Sequence, residues 1–225
     1  MTAALHRPEA WPTPEAFAGA RLFPHAIMDR LWDHDLLQAA RLEFPAGDDP
    51  RWVTYGHARE RGKRAGGPAM WGPAVRAYMD EAASPQFIAE LETLTGLRGL
   101  VADHTGGGMH LTGPGGRLGI HRDFLTHPAR PLRRRLNLLT FLAEPGWRCD
   151  WGGCLHLGRA HEVIIRPVFG RTVVFETSET SWHGHPQPIT GDHWRPSLAV
   201  YYYTPADPGE PLDSTVFAGG DGSDA

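Results

Sequence analysis

The sequence is poor in cysteine and has no long apolar run. Its 225 residues include two cysteines, Cys149 and Cys154, which are too few for a disulfide framework and do not match the spacing of a zinc site. We therefore expect reduced thiols and a cytoplasmic protein. No stretch of about 18 apolar residues is present, and the N-terminus lacks the basic and apolar regions of a secretory leader. We expect neither a membrane-spanning helix nor a signal peptide.

Lysine is also scarce, because Lys63 is the only one and arginine supplies nearly all of the positive charge. The formal net charge is -4 at pH 7, which argues against a general polyanion binder, so no nucleic-acid partner is expected. The hydrophobic content of 41% is sufficient for a sizeable core. A chain of this length forms one large domain or two small ones.

The N-terminal part carries the helical signals. Residues 1–21 are rich in Ala, Pro and Glu and predict a flexible lead, and a short strand is expected within residues 22–28. A helix is predicted after an N-cap at Asp33, and another over residues 73–82. A third is predicted to begin after an N-cap at Ser84 and to stop at Gly96. Their apolar positions recur at helical spacing, so we expect these helices to support the main sheet from outside.

Residues 46–72 read as an irregular loop, since Gly, Pro and Asp interrupt both helix and strand. Trp52, Tyr55 and Trp71 lie among its charges. One interpretation is a solvated basic loop, and the other is a lid that folds over the substrate. The basic residues of this loop are Arg51, Arg59, Arg61, Lys63 and Arg64.

From residue 97 to about residue 204, short apolar segments alternate with Gly- and Pro-rich turns. This pattern is typical of a β-sandwich or a closed β-fold. The glycine runs at 106–108 and 113–116 are predicted to be turns. Residues 205–225 predict a strap followed by a disordered end. The eight strands are expected near residues 108–112, 117–123, 133–142, 154–157, 161–166, 171–176, 182–188 and 196–203.

The chemical signal centres on His121-Arg122-Asp123, a motif that is weak alone and gains weight from the order of the segments after it. Side chains two apart in a strand project to the same face, so His121 and Asp123 project together. A second strand can bring His183 opposite them. Two imidazoles and one carboxylate on one side of an ion form the facial triad that suits Fe(II). His185 is a competing ligand, because it lies two residues after His183 and faces the same way.

Arg195 follows twelve residues after His183. A planar guanidinium is the natural partner of a carboxylate bound end-on in a pocket. Ser197 lies on the same strand face and offers a hydroxyl hydrogen bond. His110 and Asn137 are polar residues that either point inward or are satisfied structural groups. In the run Arg133–Arg135, alternation sends Arg134 to one face and its two neighbours to the other.

The order of these parts resembles the Fe(II)- and 2-oxoglutarate-dependent oxygenases, in particular the prolyl-4-hydroxylase-like branch. The resemblance spans roughly His104 to Thr204, and the rest of the chain matches more loosely. Its family pattern places the third ligand after Ser-x, which favours His183 over His185. Some relatives have a tyrosine cofactor contact in the strand that here reads 138–141, and this sequence has none. The matching segments are HRDF, RRRLNLLTFL, WGGCLHL, RPVFGRTVVFETSETSWHG and RPSLAVYYYT.

The resemblance implies a mainly β fold with flanking helices, whose core is a double-stranded β-helix (a distorted, cupin-like jelly roll). Residues 22–225 would form one oxygenase domain, with helical support and lid over 22–96, the core over 97–204 and the strap after it. Fe(II) would be bound by His121, Asp123 and His183. The co-substrate 2-oxoglutarate would be bound by Arg195 and Ser197, with dioxygen as the oxidant and ascorbate as a candidate reductant.

The implied activity is hydroxylation of an unactivated C–H bond, with release of succinate and carbon dioxide. The substrate would be a peptide or protein side chain or a small amino-acid-like metabolite. The carboxylate of Asp123 argues against halogenation, while desaturation and ring closure stay open. Two other classes compete: a cupin-like isomerase or binding protein that does not use 2-oxoglutarate, and a zinc hydrolase, for which the helical zinc motif is missing. The sequence does not specify the oligomeric state.

Overall fold

A computed structural model describes residues 5–54, 58–207, 209 and 211–219. In this part of the chain eleven strands form one antiparallel sheet that curls around a pocket. The helices are α1 Pro14–Ala18, α2 His34–Leu42, α3 Pro73–Ala82 and α4 Pro85–Thr95. The strands are β1 His25–Met28, β2 Val53–Thr54, β3 Glu60–Gly66, β4 Val101–Arg122, β5 Leu132–Phe141, β6 Leu155–Leu157, β7 Val163–Ile165, β8 Thr172–Glu176, β9 His183–His185, β10 Arg195–Pro205 and β11 Val216–Phe217.

The strand order explains how distant segments meet. The main path runs β1-β8-β5-β10-β4-β9-β6-β7, while β3 and β11 also pair with β4. β4 is therefore the shared neighbour of β3, β9, β10 and β11. This curled sheet with few helices confirms the predicted mainly β, jelly-roll-like fold. None of the helices in the described residues has the length and apolarity needed to cross a membrane.

The helices cover the outer face of the sheet. Alternation along β5 sends Leu136 and Leu138 outward, where they join the helical residues Tyr78 and Phe87 in the largest apolar core. The predicted caps are present, since the Asp33 carboxylate accepts a hydrogen bond from the Leu36 amide at 3.0 Å. The inner face of β5 is left to line the pocket.

The N-terminal lead is packed rather than flexible over its described residues. Phe17 is buried, and the indole of Trp11 donates to the Glu90 carboxylate at 2.7 Å. The buried His6 ring lies between the carboxylates of Glu81 and Glu90. These contacts fix residues 5–18 against α4, because apolar and polar side chains both find partners there.

Residues 46–72 were expected to be irregular, and this prediction is wrong for much of the loop. β2 pairs with β3, and β3 covers the edge of β4 over several residues. A strand edge with unpaired backbone groups is stabilised by such an additional partner. Trp52 and Trp71 are buried in the core, whereas Tyr55 lies outside the described residues.

The two cysteines form a disulfide, which corrects the expectation of reduced thiols. The Cα atoms of Cys149 and Cys154 are 5.6 Å apart. A 3-10 turn over Cys149–Trp151 is followed by Gly152 with φ +76°, and together they fold the chain back. A Cβ at Gly152 would lie 2.1 Å from the Pro188 carbonyl oxygen, so only glycine fits. The cytoplasmic localisation, which was inferred from reduced thiols, stays a prediction.

The disulfide predicts a thiol count and a stability difference. Protein denatured without reductant should expose no reactive thiol, and reduced protein should expose two. Closing a loop with a sequence separation of five stabilises by about 2 kcal/mol through lost entropy of the unfolded chain. Reduction should therefore lower the free energy of unfolding by about that amount, as measured by urea titration. Two reactive thiols in the unreduced protein would contradict the assignment.

The C-terminal segment crosses the sheet next to the pocket. Asp213 accepts hydrogen bonds from the amides of Leu125 and Thr126, at 2.9 Å and 2.8 Å. β11 then pairs with the end of β4, so that Phe217 lies opposite His121. The Arg59 guanidinium donates to the carbonyl oxygen of Ala218 at 2.6 Å. We call residues 211–219 the C-terminal strap.

Candidate active site

The pocket contains a cluster of two histidines and one aspartate. β4 and β9 are adjacent, and His121 is paired with His183 in their register. Asp123 follows the end of β4, where its carboxylate reaches both rings. The oxygens Oδ1 and Oδ2 lie 3.5 Å from Nε2 of His121 and Nε2 of His183, respectively. All three residues are buried, and their ligand atoms lie within 4.8 Å of one another.

Backbone hydrogen bonds fix the orientation of both imidazoles. Nδ1 of His121 donates to the Gly119 carbonyl oxygen at 2.9 Å, and Nδ1 of His183 donates to that of Ser181 at 2.9 Å. Because a carbonyl only accepts, the proton of a neutral ring is on Nδ1 and Nε2 keeps its lone pair. Burial lowers the pKa of His183 to about 4, although the Asp123 charge opposes this change. Both Nε2 atoms are thus prepared to bind a metal ion.

A buried network holds the carboxylate of Asp123. Nδ2 of Asn137 donates to Oδ2 of Asp123 at 2.7 Å, and the Arg134 guanidinium lies 3.2 Å from the same oxygen. Nε of Arg134 donates to Oδ1 of Asn137 at 2.7 Å, which closes the triangle. Burial alone would raise the pKa of Asp123, but Arg134 and the two histidines outweigh it and hold the pKa well below 3.8. Asp123 is therefore ionised, as metal binding requires.

A β-bulge brings Arg134 to this position. Tyr203 pairs with Arg134 and Tyr201 pairs with Asn137, so three steps along β5 match two steps along β10. The extra residue changes the alternation and places Arg134 on the same face as Asn137. Its guanidinium carbon lies 3.5 Å from the centre of the Tyr201 ring. Arg134 was not expected from the sequence to be a functional residue, because strict alternation would place it on the face opposite to that of Asn137.

The lining of the pocket also carries an unbalanced positive charge at Arg195. Arg195 is buried, its Nε has no hydrogen-bond partner, and no described acidic residue forms an ion pair with it. Its guanidinium stacks 4.7 Å from the centre of the Phe141 ring. Burial lowers the pKa of Arg195 to about 9. A buried cation without a partner is costly, so this part of the pocket suits an anionic ligand group.

The structure brings together in one pocket all five residues that the sequence nominated, including Ser197. His110 and Asn137 also line it, as one interpretation expected. His185 lines the pocket but does not belong to the metal-type cluster. Lys63 reaches the pocket from β3 and forms an ion pair with Glu60 at 2.9 Å. Lys63 was named only as part of the basic loop, because the pairing of β3 with β4 was not predicted.

Comparison with known proteins also indicates a site that binds Fe(II) and 2-oxoglutarate. Residues 107–203 match the family model of the 2OG-Fe(II) oxygenase superfamily. This segment contains the whole His-Asp-His cluster and Arg195. A search of curated proteins finds no match to the sequence. The family match makes a cupin-like protein without 2-oxoglutarate and a zinc hydrolase the weaker alternatives.

Solved structures share the fold at low identity. A prolyl-4-hydroxylase from Pseudomonas putida is 22% identical, with a TM-score of 0.61, over 86% of this chain and 100% of that chain. The 2-oxoglutarate-dependent epimerase SnoN from nogalamycin biosynthesis is 12% identical, with a TM-score of 0.59, over 91% and 93%. A Trichoplax adhaerens prolyl hydroxylase, solved with a peptide of hypoxia inducible factor, is 15% identical, with a TM-score of 0.51, over 87% and 88%.

The donor set of the cluster also fits the cofactor. Two imidazole nitrogens and one ionised carboxylate on one side of a site suit Fe(II), and the uncompensated guanidinium suits the dicarboxylate co-substrate. The match of residues 107–203 to that family model and this donor set mark the chain as a 2-oxoglutarate-dependent dioxygenase, with Fe(II), 2-oxoglutarate and dioxygen as its cofactor and co-substrates.

Proposed function

We propose that this dioxygenase hydroxylates an unactivated C–H bond of a peptide side chain or of a small amino-acid-like metabolite. The observation that carries the proposal is the pairing, within one pocket, of the His-Asp-His cluster with the unpartnered guanidinium of Arg195. The carboxylate of Asp123 is present and ionised, which favours hydroxylation over halogenation. The products would be the hydroxylated substrate, succinate and carbon dioxide.

Each residue has a distinct task in this proposal. Nε2 of His121, Nε2 of His183 and the carboxylate of Asp123 would hold Fe(II). When bound, Fe(II) and 2-oxoglutarate supply the oxidation, in which dioxygen is consumed and the keto acid loses carbon dioxide. Arg195 would bind the distal carboxylate of 2-oxoglutarate through its guanidinium, and the hydroxyl of Ser197 would add a hydrogen bond.

The surrounding residues keep the site oriented and dry. Arg134 and Asn137 hold the Asp123 carboxylate, while Leu139 and Leu155 make part of the pocket wall apolar. Exclusion of water strengthens every charged contact inside the pocket. For the substrate, a peptide is supported by the fold shared with a prolyl hydroxylase that binds a peptide, and a metabolite by the fold shared with SnoN.

An anaerobic binding experiment tests the cofactor assignment. Metal-free protein is mixed with Fe(II) and 2-oxoglutarate, and the visible metal-to-ligand charge-transfer band is recorded. We expect the band to form and to bleach on exposure to air in parallel with succinate production. The absence of a band, together with tight zinc binding, would contradict the proposal. Mass spectrometry of peptide and amino-acid libraries incubated with the active enzyme would then distinguish the two substrate classes by a gain of one oxygen atom.

The Arg195→Leu variant should lose most of its affinity for 2-oxoglutarate. Removing one partner of a buried charged pair costs at least about 2 kcal/mol, which is about a thirtyfold increase in Kd. The affinity for Fe(II) should be unchanged, because Arg195 is outside the ligand cluster. Arg117→Leu, at an exposed position of β4, is the matched control and should keep the wild-type Kd. Equal Kd values for the two variants would remove Arg195 from the co-substrate site.

A further inference from the structure

His185 is the second buried group of the pocket whose polar atom is left without a partner. The residue is 4% exposed, and its Nδ1 has no hydrogen-bond partner among the described residues. Buried polar groups are nearly always hydrogen-bonded, so an orphan of this kind calls for an explanation. Within this pocket the other such atom is Nε of Arg195.

The position of His185 separates it from the metal cluster. On β9 it is paired with Leu118, whereas His183 is paired with His121. Both histidines of β9 face the pocket, but His183 alone contributes to the ligand set. His185 therefore lies farther along the strand, in the pocket that Arg195 and Ser197 also line.

Strand β5, the neighbour of β10, contributes no hydrogen-bond donor beside Arg195. β5 contributes Leu139 to the pocket, and its Phe141 ring stacks on the Arg195 guanidinium. Neither side chain can donate to a carboxylate. A buried carboxylate has two oxygens that need partners, and charge-assisted hydrogen bonds to both are the strong arrangement. The imidazole of His185 lies in the same pocket, and its Nδ1 still has no partner among the described residues, whereas Nε2 of His110 is already bonded to the Gly106 carbonyl oxygen.

We propose that His185 acts with Arg195 as a second hydrogen-bond donor to the distal carboxylate of 2-oxoglutarate. This inference rests on the proposed co-substrate site and assigns a co-substrate-binding role to a residue outside the metal cluster. The two orphaned groups would be satisfied together when the dicarboxylate binds. The affinity for 2-oxoglutarate should then depend on a ring N–H of His185, and the affinity for Fe(II) should not.

The test compares keto acids with and without the distal carboxylate. The Kd values of 2-oxoglutarate and of 2-oxobutyrate are measured anaerobically from the charge-transfer band of the Fe(II) protein. His185→Leu should weaken 2-oxoglutarate binding about tenfold, as expected for the loss of one hydrogen bond to a charged group. It should leave the Kd of 2-oxobutyrate within about twofold of wild type. His185→Gln, which keeps an N–H donor, should restore most of the affinity for 2-oxoglutarate.

His156→Leu is the matched control. His156 is also buried, lies on the adjacent β6 and has a ring nitrogen without a partner, but it does not line the pocket. Its replacement should leave both Kd values unchanged. Fe(II) affinity is measured for every variant by titration without keto acid, which shows whether the metal site is intact.

The outcomes separate this inference from the proposed function. If wild type forms no charge-transfer band, the co-substrate site and the inference both fail. If wild type forms the band and His185→Leu binds 2-oxoglutarate as well as wild type does, only the role of His185 fails. Equal weakening of both keto acids, or a loss of Fe(II) affinity in His185→Leu, would mean that the residue supports the structure of the site and would overturn the inference.

Discussion

Replacing Arg134 with leucine is expected to lower the free energy of unfolding by about 3–5 kcal/mol, because it leaves a buried carboxylate without its counter-charge. Arg134 is 2% exposed, and it contacts both Asp123 and Asn137. Its loss removes a charged hydrogen bond, an ion pair and the stacking on Tyr201 at once. Urea titration of the metal-free protein, followed by circular dichroism, measures the effect. The variant should also bind Fe(II) more weakly, since Asp123 loses its orientation and its pKa rises.

A second substitution shows whether the unpaired charge of Asp123 causes the loss of stability in Arg134→Leu. In the double variant with Asp123→Asn and Arg134→Leu, no unpaired charge is left at this site, so part of the lost stability should return. Arg135→Leu is the control, because its side chain is half-buried and outside the network; we expect a change within about 0.5 kcal/mol. A loss below about 1 kcal/mol in Arg134→Leu, or a double variant less stable than the single one, would contradict this account.

Replacing His183 with alanine should abolish Fe(II) binding at micromolar metal and reduce turnover of 2-oxoglutarate more than a hundredfold. Loss of a partner that merely orients a ligand already costs about 10–100-fold in metal affinity or activity, and His183 supplies a ligand atom itself. The apparent Kd of Fe(II), from anaerobic titration, and the rate of succinate formation are the two measurements. The fold should persist, since removing the ring leaves no buried charge behind.

Substitutions at two neighbouring histidines, His156 and His185, test whether the loss of Fe(II) binding is specific to His183. His156→Ala, on the strand beside β9, should retain Fe(II) binding and succinate formation. The sequence alone left His183 and His185 in competition for the third ligand. A His183→Ala protein that still binds Fe(II), beside a His185→Ala protein that does not, would transfer the ligand role to His185 and contradict the geometry.

The sequence predicted the cluster from one local rule and from the order of its segments. The i, i+2 spacing of His121 and Asp123 predicts a shared face, and the order of the strands and turns that follow pointed to His183 as the third ligand. It did not predict the network behind Asp123, because that network depends on a bulge in β5. The inserted residue moves Arg134 across the strand, and no composition signal marks the bulge.

The other differences between the structure and the expectations from the sequence arose from contacts between distant segments of the chain. β3 is a strand since the edge of β4 accepts it, although its own sequence is charged and contains glycine. Cys149 and Cys154 were interpreted from their number and the expected compartment, whereas the turn at Gly152 decides whether they meet. The helices with clear caps, at Asp33 and Ser84, were predicted correctly because capping is a local property.

The C-terminal strap has a practical consequence for handling this enzyme. The ring of Phe217 lies 5.5 Å from the ring of His121, centre to centre, so the last described strand packs against a candidate ligand. The preceding residues, 211–214, are exposed, although the Asp213 carboxylate accepts hydrogen bonds from the amides of Leu125 and Thr126. A preparation cut there would keep its core and lose the contact between Phe217 and His121. Intact mass should therefore be checked before activities are compared, and an affinity tag is better placed at the other terminus.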